Sequence, residues 1–171
     1  MTFELKSCNL RPSTLNILVI GYGNTLRSDD GVGQAVAEAV KTWELPNVNS
    51  IAVHQLTPEL VEPLASVDLA IFVDAYSANE EQDVQLCPLE PAASGWTIGH
   101  SSMPRALLAI ALALYNYYPQ AWLVAIPAKN FELGDSLSPL AQGGMEQALE
   151  VILRLIQAQK PIEVAELGLS L

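Results

Sequence analysis

Two adjacent carboxylates, Asp29 and Asp30, stand in the glycine-rich segment GYGNTLRSDDGVG at residues 21–33. Two more residues that can bind a metal or move a proton follow, Asp74 at the end of one apolar run and His100 ahead of another. Carboxylates and an imidazole make a three-ligand set that leaves open positions on a divalent metal, and the imidazole favours zinc, nickel or cobalt over magnesium. These residue types indicate a metal site that could serve hydrolysis.

The elements that must position these residues alternate between strands and helices. Continuous apolar runs and one shorter alternating segment predict strands at 15–20, 49–54, 68–75, 83–90 and 121–128. Apolar residues at helical spacing predict helices from Val32 to about Trp43, from Thr57, from Ser101 or Ser102 to about Tyr118, and over 139–158. Pro88 indicates that 83–90 is an edge strand, for which an antiparallel orientation is one option.

This order predicts an α/β fold with three layers, in which a mainly parallel twisted sheet of about five strands carries helices on both faces. In such sheets the ligand site lies beyond the carboxyl ends of the strands. Asp30, Asp74 and His100 follow or precede elements that meet there, so we expect these side chains at one edge of the sheet. We expect Asp29 to cap the helix after the first strand and to support Asp30.

Two other kinds of site are less compatible with the residues. A dinucleotide-binding loop would place a small residue where Leu26 stands, and two carboxylates beside a phosphate would repel it. A nucleophile-based hydrolase would use a G-x-S-x-G turn, which is absent from the sequence, although His54 with Ser101 or Ser102 stays an alternative.

Composition limits the remaining classes of function. The 171 residues are expected to form a single domain, with an N-terminal extension at 1–14, a core at 15–158 and a C-terminal tail at 159–171. Nineteen acidic and eight basic residues give a formal charge of -11, which disfavours nucleic acid as a partner. Neither a secretory signal nor an apolar run of bilayer-spanning length is apparent, so a cytoplasmic protein with no membrane association is expected.

The string ILVIGYGNTLRSDDGVG at 17–33 resembles the N-terminal motif of the NiFe-hydrogenase maturation endopeptidases. The resemblance continues in order through TPEL, IFVDA, GHSSMPRALLA and VAIPAKNFELGDSLSP to a closing amphipathic helix, and so covers about residues 15–158. One segment departs from the family's pattern, because HQLT at 54–57 replaces a glycine-rich turn. His54 in that segment is interpreted as an extra ligand, a docking residue or, by preference, a strand-end side chain.

The resemblance implies an endopeptidase that removes the C-terminal extension of a hydrogenase large-subunit precursor after nickel insertion. It also implies that Asp30, Asp74 and His100 are the metal ligands, with nickel brought by the precursor and with zinc or another divalent metal able to occupy the free site. The metal would either polarise the scissile carbonyl and activate water, or only position the tail. A non-catalytic nickel-sensing chaperone or docking protein for hydrogenase assembly is the alternative.

Overall fold

The protein is described by a computed structural model for residues 14–79, 82–93 and 102–159. Within these ranges five strands form one sheet: β1 (Ile17–Tyr22), β2 (Val48–Val53), β3 (Leu69–Ser77), β4 (Gln85–Leu89) and β5 (Gln120–Ala128). Their order across the sheet is β2-β1-β3-β5-β4, and all neighbours are parallel except β4, which runs antiparallel to β5 at the edge. The predicted mainly parallel sheet and its edge strand are confirmed.

In the described ranges, four α-helices cover the two faces of this sheet: α1 (Val32–Lys41), α2 (Val61–Ala65), α3 (Ser102–Tyr115) and α4 (Pro139–Ala158). On one face, α1 and α4 bury side chains such as Val36 and Ile152 against β1, β3 and β5. On the other face, α2 and α3 bury Leu64 and Leu108 against Phe72 and its neighbours. One apolar cluster lies between each pair of helices and the sheet, which gives the three predicted layers. Each helix is held to the sheet by burial of its apolar stripe.

Element boundaries differ from the predictions by a few residues. The larger differences are at α2, which begins at Val61 rather than near Thr57, and at α3, which ends at Tyr115 rather than near Tyr118. Asn116 takes a positive φ of 51°, a left-handed conformation that ends helices, and Pro119 lies shortly beyond it. The predicted bounds of α4 are confirmed. Ser138 precedes this helix and its hydroxyl accepts a hydrogen bond from Ala141 N at 3.3 Å, with Pro139 at the first helical position.

No helix in the described part of the chain is both long enough and apolar enough to cross a membrane.

Candidate functional site

The loop between β1 and α1 passes very close to the carboxyl ends of β1 and β3. A side chain on Gly33, in the first turn of α1, would place its Cβ 2.5 Å from the carbonyl oxygens of both Tyr22 and Val73. Gly23 has a φ of +135°, a conformation that favours glycine. These two glycines let the helix begin directly over the strand ends, and this close approach brings the intervening segment with Asp29 and Asp30 to the edge of the sheet.

Asp30 lies in a short 3-10 turn, Ser28–Gly31, that leads into α1. Its Oδ2 accepts a hydrogen bond from Asn24 N at 2.9 Å, so one carboxylate oxygen closes the loop on itself. Its other oxygen has no hydrogen-bond partner among the described residues. Asp30 is half-buried, and it therefore combines a fixed position with an oxygen that is available to a ligand.

Asp29 is completely buried and faces a different part of the molecule. Its carboxylate accepts hydrogen bonds from the backbone N–H groups of Lys129, Asn130 and Ser138 at 3.0, 2.9 and 2.6 Å. The Ser138 hydroxyl donates a fourth hydrogen bond at 2.7 Å. Asp29 thus holds both ends of the loop that connects β5 to α4.

The electrostatics of Asp29 follow from these four donors. Burial alone raises the pKa of the Asp29 carboxyl, but the hydrogen bonds from Ser138, Lys129 and Asn130 outweigh burial and leave that pKa below its usual range. The predicted capping role is wrong, because neither the 3-10 turn nor α1 receives a side-chain hydrogen bond at its N-terminus. Asp29 is therefore a buried, charged residue that holds the loop after β5 in place.

Asp74 of β3 lies beside Tyr22 of β1, because the residues that precede them, Val73 and Gly21, are paired. Both side chains are buried on the face covered by α2 and α3, with 7% and 9% of Asp74 and Tyr22 exposed. Asp74 Oδ1 accepts a hydrogen bond from Ala75 N at 2.8 Å. Burial raises the pKa of Tyr22 strongly, and the charge of Asp74 and a hydrogen bond to its carboxylate raise it further. The Tyr22 hydroxyl therefore stays protonated and donates to Asp74.

The third predicted ligand, His100, lies outside the described residues. The helix that it was predicted to precede does begin at Ser102. Because α3 leads into the amino end of β5, its first turn is at the carboxyl edge of the sheet, where Asp74 lies. Among residues 14–79, 82–93 and 102–159, no three His, Cys, Asp or Glu side chains form a metal-binding group, so the predicted triad stays a prediction.

The HQLT segment follows β2 at the same edge, since Val53 pairs with Tyr22. His54 is exposed and has no hydrogen-bond partner in the part of the chain that the structure describes. A helix was predicted from Thr57, but the chain first forms a 3-10 turn at Pro58–Leu60, and the Thr57 side chain does not cap that turn. Instead, its hydrogen bond to the Glu59 carboxylate lowers the pKa of Glu59.

An open groove lies next to Asp74 on the face covered by α3. Its volume is about 510 Å³, and its walls include Tyr76, Cys87, Arg105 and Ala125. Ala125 is the residue paired with Asp74 in the neighbouring strand, and Tyr76 is two residues farther along β3. Two residues that line the groove are therefore neighbours of Asp74 in the sheet, although Asp74 is not itself among the lining residues.

The site thus offers two carboxylates with different surroundings at one edge of the sheet. Asp30 presents a half-buried oxygen, whereas Asp74 is buried and oriented by Tyr22 and Ala75. Carboxylates with an imidazole suit nickel, zinc and cobalt. Sequence reasoning missed Tyr22, although the alternation of side chains along β1 and β3 could have indicated that it shares a face with Asp74.

The fold is similar to those of several solved structures. HybD, a hydrogenase maturating endopeptidase from E. coli, has a TM-score of 0.69 at 24% identity, over 84% of this chain and 93% of that chain. HycI, a NiFe-hydrogenase maturation protease from Thermococcus kodakarensis KOD1, has a TM-score of 0.65 at 22% identity with the same coverage. A hydrogenase 2 maturation peptidase from a Thaumarchaeota archaeon has a TM-score of 0.63 at 19% identity, over 84% and 99%.

No family model matches the chain, and no curated protein matches its sequence. The similarity to the solved structures establishes a shared fold.

Proposed function

We propose that the chain belongs to the NiFe-hydrogenase maturation endopeptidases and acts in the cytoplasm on a hydrogenase large-subunit precursor. It would hydrolyse one peptide bond and release the C-terminal extension of the precursor after nickel has been inserted. The precursor's nickel is part of the substrate, and cleavage would then report that the metal is in place.

One observation carries this proposal. Asp30, in a motif that resembles the first motif of the family, lies at the same sheet edge as Asp74, in a fold shared with three hydrogenase maturation proteases. A general α/β fold does not require two adjacent carboxylates there, and in this chain neither of them caps a helix. Asp29 supports the loop after β5, whereas Asp30 uses one oxygen to accept a hydrogen bond from Asn24 N, which leaves its other oxygen for a ligand.

In this proposal, Asp30, Asp74 and His100 bind the nickel that the precursor carries. Nickel accepts carboxylate and imidazole ligands, so the donor set fits it, and zinc would fit the same donors. Hydrogen bonds from Tyr22 and from Ala75 N hold the Asp74 carboxylate in place. The groove beside Asp74 receives the tail of the precursor and brings its scissile peptide bond to the carboxylates.

The test is cleavage of a nickel-loaded large-subunit precursor by the full chain. Mass spectrometry should detect loss of one C-terminal peptide from the precursor with nickel, and none from the precursor without it. Asp30→Asn should abolish cleavage, because the amide keeps an oxygen for Asn24 N but loses the charge that binds the metal. His100→Ala should do the same.

Asp68→Asn is the matched control. Asp68 is also half-buried, and its Oδ2 accepts one backbone hydrogen bond, from Asn16 N at 2.8 Å, but it lies at the opposite edge of the sheet. Cleavage by this variant should equal that of the wild type. If the wild type binds the loaded precursor and no peptide is ever released, the protein is a nickel-sensing docking protein or chaperone and the endopeptidase proposal is wrong.

A further inference from the structure

Two leucines are exposed at the carboxyl edge of the sheet, in loops that are far apart in sequence. Leu26, after β1, is 68% exposed, and Leu133, after β5, is 87% exposed. A single exposed leucine is ordinary on a protein surface, whereas apolar side chains held together in water are typical of an interaction site. Whether the two leucines form one patch therefore depends on how their loops are joined.

Backbone hydrogen bonds join the loops at the leucines themselves. Leu26 O accepts from Gly134 N at 3.0 Å, and Gly134 O accepts from Ser28 N at 2.9 Å. Arg27 and Gly134 pair as a parallel bridge. Leu26 and Leu133 each immediately precede the bridging residue of their own segment, so they are neighbours across the bridge. We call this pair the two-leucine patch.

Side-chain hydrogen bonds hold the same two loops together on either side of the patch. Arg27 Nε donates to Phe131 O at 3.2 Å, and Ser28 Oγ donates to Glu132 O at 3.0 Å. Beneath them, the buried Asp29 carboxylate binds the beginning and the end of the loop after β5. These loops are already ordered in the folded protein, so a partner that binds the patch would not have to reduce their conformational entropy.

The two-leucine patch is continuous with the loop that presents Asp30. Asn24 Oδ1 accepts a hydrogen bond from Leu26 N at 2.9 Å, and Asn24 N donates to Asp30 Oδ2 at 2.9 Å. One residue therefore links the position of Leu26 to that of Asp30. A macromolecule that brings a metal to Asp30 must cover this loop, and its surface beside the metal will meet the leucines.

We infer that the two-leucine patch docks against an apolar surface of the nickel-carrying large-subunit precursor beside its metal. This inference rests on the proposed function, because it takes the precursor as the partner. Burial of two leucines strengthens binding but takes no part in hydrolysis of the peptide bond. The patch would therefore favour a folded precursor over an unrelated peptide that carries only the same C-terminal sequence.

The test is the dissociation constant of the nickel-loaded precursor for Leu26→Ser, Leu133→Ser and the double variant. Loss of one leucine that the complex buries should raise the dissociation constant about tenfold, and the double variant should bind more weakly still. Leu114→Ser is the matched control, since Leu114 is 70% exposed but lies in the last turns of α3, at the other edge of the sheet. Its dissociation constant should equal that of the wild type.

The melting temperature should not change in any of these variants, because all three leucines are largely exposed. If the double variant binds the precursor as tightly as the wild type while the wild type cleaves it, the inference is wrong and the proposed function stands. If the wild type neither binds nor cleaves the precursor, both are wrong. A wild-type dimer that the double variant converts to a monomer would make a second copy of this chain the occupant and would also overturn the inference.

Discussion

The carboxylate of Asp29 accepts two hydrogen bonds from Ser138, one from the backbone N–H at 2.6 Å and one from the hydroxyl at 2.7 Å. Ser138 is also the residue that caps α4. A charge in the loop after β1 therefore fixes the beginning of the last helix, more than 100 residues later. Since Asp30 follows Asp29 directly, the site loop and the loop after β5 form one supported unit.

Asp29→Asn should destabilise the protein by roughly 3 kcal/mol. The amide keeps one acceptor oxygen and turns an NH₂ group towards buried N–H donors, so both hydrogen bonds and charge are lost in a fully buried position. Urea denaturation at neutral pH measures the free energy of unfolding. Asp135→Asn, at an exposed aspartate of the loop after β5, should change it by less than about 0.5 kcal/mol. A similarly small change for Asp29→Asn would contradict a central role for this carboxylate.

Acid should lower the stability of the folded protein by protonating Asp29. The pKa of Asp29 is lower in the folded protein than in the unfolded chain, where it is about 3.9. The unfolded chain binds the proton more readily, so the stabilisation is complete above about pH 4 and is lost as the pH falls towards the folded pKa. The urea midpoint of the wild type should fall across this range. That of Asp29→Asn should fall less steeply, and parallel curves would exclude Asp29 as a cause.

The fold could be predicted from the sequence because each element carries its own local signal. Apolar runs indicated the buried strands, Pro88 indicated the edge strand, and apolar residues at helical spacing indicated α4. The end of α3 was missed, because it depends on the left-handed conformation of Asn116, which apolar spacing does not reveal. The order of the strands was not predictable either, since no local pattern says which strands are neighbours.

The placement of two of the candidate residues could also be predicted, from a general rule about parallel sheets. The rule that ligands bind beyond the carboxyl ends of parallel strands was enough to bring Asp30 and Asp74 to one edge. It could not assign different tasks to Asp29 and Asp30, because Asp29's partners come from the loop after β5. Contacts across such a sequence separation leave no periodic signal near the residue itself.

Gly33→Ala should destabilise the protein by about 3 kcal/mol or more. The new Cβ would lie 2.5 Å from two backbone carbonyl oxygens, of Tyr22 and Val73, so α1 must move away from the strand ends. Gly143→Ala is the paired control, because Gly143 is a helical position in α4 with open space around it. That change should stabilise the protein by about 0.5 to 1 kcal/mol. Equal effects in the two variants, measured by urea denaturation, would contradict the close approach of α1 to the sheet.

Tyr22→Phe should lower cleavage of the nickel-loaded precursor about tenfold, the effect of losing a hydrogen bond to a buried carboxylate. The ring still fills its place in the apolar cluster, but Asp74 loses the donor that orients it, so the loss should appear in nickel-dependent cleavage more than in stability. Tyr117→Phe is the control, because its hydroxyl also donates one hydrogen bond, to Val67 O at 2.7 Å, but Tyr117 lies just before β5, at the other edge of the sheet. Equal cleavage by both variants would show that the Tyr22 hydroxyl does not position Asp74.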